Sequence, residues 1–324
     1  MPWIKAICGD GKIRTFEECL NDKDHPCFDF EIREVLYARA MNPHSAHTGK
    51  SISATGLLGC LRATYLERII DYAASPQSMW FSLRGDLIHK IVERPRYENE
   101  DGRRETEKRL SLPVNGTSMS GQLDVWRERF LVYRLLKDWK SIGDNGLRYI
   151  IQGGAKWDHI WQTNIYKTIL EANEYPVDRI QIVYMSLMDV VTTGKPAVLH
   201  EFLVNEPKAT GFRENMKRAE MVKAYPSGKH KWACHYDIPE VPIYKKQDVL
   251  DFIRPRVEIL YRAFEHEELP RLPDVSDVDP KDAKTLHAFK DIREGYWKCN
   301  GYCDVWRECQ KLTSGWNGPS GAEE

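Results

Sequence analysis

The chain has 324 residues, 42% of them hydrophobic and 29% charged, with a formal net charge of −1. That is enough apolar material for one large domain or two ordinary ones, and it excludes a chain disordered throughout. With so little net charge, any nucleic-acid role must rest on a local basic groove.

Taken in order, residues 1–50 are turn-rich, with Gly9-Asp10-Gly11 and Asn42-Pro43-His44-Ser45. Met1-Pro2-Trp3-Ile4-Lys5 lacks the apolar stretch of a secretory signal. No apolar run approaches the ~18 residues of a membrane span. A cytoplasmic protein without a membrane partner is the expectation. Ser51 to Tyr72 predicts a helix, with Ser53 as N-cap and Leu57, Leu58, Leu61, Tyr65, Ile69 and Tyr72 at helical spacing. Residues 78–93 predict a second. After Arg103 the period changes to that of strands over 107–114, 118–125 and 130–140, with a turn at Asn115-Gly116. A helix over 156–172 follows, then strands over 179–188 and 197–204, then helices over 208–224 and 246–266. Pro270 and Pro273 open a loop toward the C-terminal cysteines, and the Gly/Pro/acid tail from Ser314 is expected to be disordered. The order implies an α/β (α+β) class, a central mixed sheet flanked by helices.

Side chains at i and i+2 of a strand share a face, so Asp138 and Lys140 project together. A hairpin can bring Asp124, at the end of Gly121-Gln122-Leu123-Asp124, beside them. Two carboxylates and an ammonium on one sheet face cost too much to bury for packing alone. Converging carboxylates suit a hard cation such as Mg²⁺ or Mn²⁺, and a lysine beside it can orient water or stabilise charge on a phosphate. A solvated charge pair is the bland alternative. His89, on a helix upstream with Glu93 one turn on, is a competent metal ligand. Gln162 and Tyr166 share one face of the helix after the Asp-x-Lys strand.

Eight cysteines stand at 8, 19, 27, 60, 234, 299, 303 and 309. In a reducing compartment such clustering points to metal binding more than to disulfides. Cys8, Cys19 and Cys27, with His25 or Cys234 as fourth ligand, could bind Zn²⁺ or could be free thiols of an N-terminal extension. Arg213, Lys217, Arg218, Lys223, Lys229, His230 and Lys231, next to Trp232, could track a DNA backbone or form a solvated helix face.

The ordered series Gly85-x3-His89, Gly121-x2-Asp124, Asp138-x-Lys140 and Gln162-x3-Tyr166 resembles the motif series of RecB-like PD-(D/E)XK nucleases. The cysteine framework resembles their iron–sulfur branch, which includes CRISPR-associated and phage exonucleases. Cys60 precedes the His motif, and Cys299, Cys303 and Cys309 follow the last helix. The chain departs from the pattern at Leu61, where proline is common, and in Cys299-x3-Cys303-x5-Cys309, against a commoner x2 then x5. The resemblance covers about residues 51–310. It implies a restriction-endonuclease-like core over 51–310, an extension over 1–50 and a tail over 311–324. It also implies that His89, Asp124 and Asp138 hold Mg²⁺ or Mn²⁺, that Lys140, Gln162 and Tyr166 assist, and that four thiolates hold a [4Fe–4S] cluster or, alternatively, a zinc. The expected activity is exonucleolytic cleavage of single-stranded DNA ends. Recombination, phage-replication or CRISPR-adaptation proteins are the expected partners. A catalytically silent DNA-binding or assembly module is the alternative.

Overall fold

The structure is a computed structural model. It describes residues 5–7, 12–21, 33–35, 37–38, 51–70, 72–74, 83, 85, 89–90, 102–129, 133–143, 146, 150, 153–186, 236–239, 241–272 and 303–312. It is a mixed α/β protein with a central mixed sheet flanked by helices. The chain divides into two compact units. One comprises Met1–Leu83, Pro113–Met119 and Asp251–Glu324; the other comprises Arg84–Leu112 and Ser120–Leu250.

In the first unit, β1 (Lys5–Ile7) pairs antiparallel with β2 (Ile13–Thr15) and parallel with β4 (Ala73–Ala74). Part of the segment expected to be irregular is therefore sheet. Helix α1 (Phe16–Asn21) starts on a capping box: Glu18 accepts the Thr15 N–H at 2.7 Å, and Thr15 Oγ1 accepts the Glu18 N–H at 3.2 Å.

The single helix expected from Ser51 to Tyr72 is three elements: β3 (Ser51–Ser53), a 3₁₀ turn (Thr55–Leu57) and α2 (Leu61–Ile69). Ser53 does cap, but it caps the turn, accepting the Gly56 N–H at 3.1 Å. A Cβ on Gly56 would lie 2.9 Å from Ser53 Oγ and 3.0 Å from Thr64 Cγ2, so the tight corner depends on glycine there. Leu57, Leu61 and Tyr65 are buried as their spacing suggests, but from two elements and not one.

Helix α4 (Lys246–His266) has the bounds expected. In this unit it buries Ile253, Val257, Leu260 and Ala263 at helical spacing, and it carries Pro255 on its exposed side. Arg256 donates to the carbonyls of Leu57 (2.5 Å) and Gly59 (3.3 Å), and Arg62 donates to that of Pro270 (2.5 Å). Helix α5 (Trp306–Lys311) packs on α2.

In the second unit the strands run longer than the sequence suggested: β5 (Gly102–Val114), β6 (Thr117–Arg129) and β7 (Tyr133–Ile142). The β5–β6 hairpin turns on Asn115 (φ 49°) and Gly116 (φ 77°), the left-handed pair a two-residue hairpin needs; that tip, Pro113–Met119, belongs to the first unit. β6 pairs with β5, with β3 and, antiparallel, with β7. The connection from β7 through α3 (Trp157–Ala172) returns β8 (Arg179–Ser186) parallel to β7, and β9 (Tyr236–Asp237) closes antiparallel on β8. Helix α3 packs on β7 and β8. Ile165 and Ile169 of α3, with Trp126, Leu136, Ile182 and Tyr184 of the sheet, are buried in the core. Of the helix expected over 78–93, the described residues Leu83, Gly85, His89 and Lys90 are helical. The elements expected over 197–204 and 208–224, and the tail from 314, lie outside the described residues. Among the described residues, no helix is long and apolar enough to cross a membrane.

Candidate metal centre

Strand alternation does what the sequence implied at Asp138 and Lys140. Both project from β7 to one face, with Lys140 Nζ 2.9 Å from Asp138 Oδ2 and 3.2 Å from Oδ1. In the register with β8, Asp138 faces Ile182 and Lys140 faces Tyr184, so the pair sits on the face that α3 covers. Asp138 is 1% exposed, and its Oδ2 makes no directed hydrogen bond despite the nearby ammonium. Asp124 reaches the same place from β6, where the Trp139 N–H donates to its Oδ2 at 2.6 Å.

Burial, then repulsion from Asp138, pushes the Asp124 carboxyl up to about 7, against the pull of Lys140 and His89. Burial by itself would lower Lys140, but Asp138 and Asp124 outweigh it and hold the ammonium above its usual range. Burial also pushes the Tyr166 hydroxyl up to about 12.

Helix α3 supplies the next layer. Gln162 Nε2 donates to Tyr166 Oη at 2.8 Å, one turn apart on one face. The Tyr166 ring lies over Gly121, where a Cβ would sit 2.8 Å from ring carbons Cδ1 and Cε1. The glycine of Gly121-x2-Asp124 is thus a close-approach position for this helix.

His89 Nδ1 lies 3.0 Å from Glu107 Oε1 and 3.4 Å from Asp124 Oδ1. The hydrogen bond to Glu107 raises the imidazole above its ordinary value, and Asp124 adds to the effect. Ligand atoms of His89, Glu107 and Asp124 all lie within 4.8 Å of one another, a set that could hold a metal ion. Cis ligands of an octahedral cation at ~2.1 Å stand about 3.0 Å apart, close to the two histidine separations. These three residues fit a hard divalent cation, while Asp138 Oδ2 is ion-paired with Lys140. Glu107 is the residue that sequence reasoning missed. It sits inside β5 at φ 50°, and nothing in Arg104-Glu105-Thr106-Glu107 signals that backbone.

The same geometry changes what Asp138 is. A substitution to alanine would strand a mostly buried ammonium, so Asp138 is a packing partner as well as a candidate ligand.

Of the expected cluster thiols, Cys60 stands at the N-cap position of α2 and Cys309 lies on α5, near enough for its charge to act on Cys60. Burial first, and Cys309 second to it among the raising effects, pushes the Cys60 thiol up. None of Cys19, Cys60, Cys303 and Cys309 is in a disulfide. The sulfurs of Cys60, Cys303 and Cys309 do not all lie within 4.8 Å of one another. One tetrahedral ion with ~2.3 Å bonds would hold its sulfurs about 3.8 Å apart, whereas a cube spaces them more widely. Cys299 lies outside the described residues. So do Cys8, His25, Cys27 and Cys234. Cys19 is a buried thiol that accepts a hydrogen bond from Tyr37 Oη at 2.6 Å. Arg213, Lys217, Arg218, Lys229 and Lys231 also fall outside the described residues.

No known protein family and no curated protein matches the chain. Among solved structures it is similar to one titled "Crystal structure of SSO0001", at 12% identity and a TM-score of 0.44, over 88% of this chain and 96% of that one. A likeness of that degree bears neither on chemistry nor on family.

Proposed function

We propose that the protein is a metal-dependent DNA nuclease of the RecB-like PD-(D/E)XK type, acting on single-stranded ends. The observation that carries this reading is the convergence of Asp124, Asp138 and Lys140 on one buried face, with His89 beside Asp124. A bound Mg²⁺ or Mn²⁺ would supply Lewis-acid polarisation of the phosphate and a water acidic enough to attack at neutral pH. His89, Asp124 and Asp138 would hold it.

The remaining chemistry belongs to side chains of the chain. Lys140, held protonated by its two carboxylates, has no lone pair with which to accept a proton. Its part is to stabilise the negative charge that builds on the phosphate oxygens. Gln162 fixes the hydroxyl of Tyr166, and Tyr166 in turn bounds the space around Lys140. Hydrolysis breaks one P–O bond and leaves a phosphate and a hydroxyl end. A structural [4Fe–4S] cluster on Cys60, Cys299, Cys303 and Cys309 belongs to the same proposal. It is supported by the approach of Cys60 and Cys309, 249 positions apart in the sequence. Any unwinding or recombination partner would be another chain.

The test is anaerobic purification, metal analysis, and incubation with Mn²⁺ and an end-labelled single strand. The expected result is a brown protein with about four irons per chain, and cleavage that falls by ~10²-fold or more in Asp138→Asn and Lys140→Met. Wild-type protein that leaves DNA intact, or an Asp138→Asn variant with wild-type rate, would overturn the nuclease reading. Zinc in place of iron would overturn the cluster alone.

A further inference from the structure

We propose that Glu107 is a working ligand of the cation and that Gln122 is the residue that positions it. This rests on the metal-dependent reading above. It extends the site from the strands that the motif series marks to β5, which no motif marks.

Three observations carry it. First, among the described residues Glu107 Oε1 is the carboxylate oxygen nearest His89 Nδ1, at 3.0 Å against 3.4 Å for Asp124. One nitrogen within reach of two carboxylates from two strands is the arrangement of a cation's coordination shell. Without a cation, a proton on Nδ1 takes that place. Second, the other oxygen of Glu107 is committed. Gln122 Nε2 donates to Oε2 at 2.7 Å, and the Gln122 carbonyl accepts from Arg109 at 2.8 Å. The amide is thereby locked in one orientation, its donor end toward Glu107, and the carboxylate can offer only Oε1 inward. Outer-shell partners of this kind set both the direction and the basicity of a metal ligand. Third, and independently, two buried carboxylates, Asp124 and Asp138, share this face, and the one ammonium there, Lys140, pairs with Asp138, its Nζ 2.9 Å from Oδ2. The charge of Asp138 is felt at Asp124. Lys140 offsets one of the two negative charges, and a cation beside Asp124 would offset the other.

The backbone agrees with the assignment. Glu107 holds φ 50° within a thirteen-residue strand, a conformation that glycine adopts freely and glutamate does not. That makes glycine a substitute that removes the carboxylate while relieving the backbone. It provides a variant with no reason to misfold.

The experiment measures Mn²⁺ binding to the full-length protein by EPR of the free ion, alongside the melting temperature in EDTA. Gln122→Met should weaken binding ~10–100-fold, the range seen for outer-shell partners. Glu107→Gln and Glu107→Gly should weaken it at least as much. The metal-free melting temperature should hold in Gln122→Met and hold or rise in Glu107→Gly. Wild-type affinity in either Glu107 variant, or in Gln122→Met, would overturn the assignment, and so would wild-type protein that binds no Mn²⁺. If binding depends on Glu107 but no DNA is cut, the nuclease reading fails and the ligand stands.

Discussion

At the scale of single residues, the candidate site is a balance between carboxylates that repel and cations that offset them. Asp124 makes the balance measurable. Its folded value of about 7 lies well above the 3.8 of a free aspartate, so between those limits the folded, metal-free chain binds a proton that the unfolded chain does not. The stability this residue contributes is therefore full below about pH 4 and is lost as pH rises through 7. His89, also raised, acts in the same direction. A cation must displace these protons, so metal affinity should climb over the same window. In EDTA, the melting temperature should fall between pH 5 and 8, and Asp124→Asn should flatten that fall. An equal slope in the variant would mean that the titration belongs elsewhere. Asp124, Asp138 and Lys140 could be found from sequence because period-two spacing and a hairpin are enough to bring them together. Glu107 could not: its place depends on a left-handed backbone and on Gln122, neither of which has a sequence signature.

At the scale of elements, the decisive contact is between α3 and the sheet. Gly121 lets the Tyr166 ring come within the distance that any side chain would close. Ile169 Cδ1 crowds the same point, 3.1 Å from where a Cβ would lie. Tyr166 cannot swing away cheaply, because its hydroxyl is held by Gln162. Gly121→Ala should thus cost about 1–3 kcal/mol through overpacking, seen as a lower melting temperature. Tyr166→Leu in the same chain should recover most of it. A Gly121→Ala protein as stable as wild type would show that the helix has room to shift. The opposite side of α3 is pinned differently. Asn164 accepts the Tyr244 N–H at 2.7 Å and donates to the Pro242 carbonyl at 3.0 Å, which fixes the segment before α4. Helices α3 and α4 were readable because both are long and periodic. The stretch from Ser51 to Tyr72 misled because its apolar spacing is helical while the backbone turns extended at Cys60 (ψ 112°), which parts the 3₁₀ turn from α2.

At the scale of the whole molecule, one unit interrupts the other in sequence. Unit one needs residues before 84 and residues after 250, and its buried arginines span the interval. Arg256 reaches carbonyls 199 and 197 positions earlier, and Arg62 reaches one 208 positions later. The equilibrium cost of such spacing is small, since doubling a loop adds only ~0.6 kcal/mol. The cost in time is not. At roughly 5–20 residues per second, a ribosome takes on the order of 10–40 s to travel from Leu57 to Arg256. Throughout that interval the carbonyls of Leu57 and Gly59 have no Arg256 to bond, and the Tyr65 ring has no Phe264 to pack against. The interrupting unit, complete by Leu250, faces no such wait. Nascent chains arrested as residue 250 leaves the ribosome should accordingly resist protease over 120–186 and be cut within 51–70. Protection of 51–70 should arrive only once α4 and Pro270 have emerged; protection before then would mean that synthesis imposes no such order. The interval is also when a holding chaperone would find its target, so slowing translation ahead of Arg256 should raise the share of chains that aggregate.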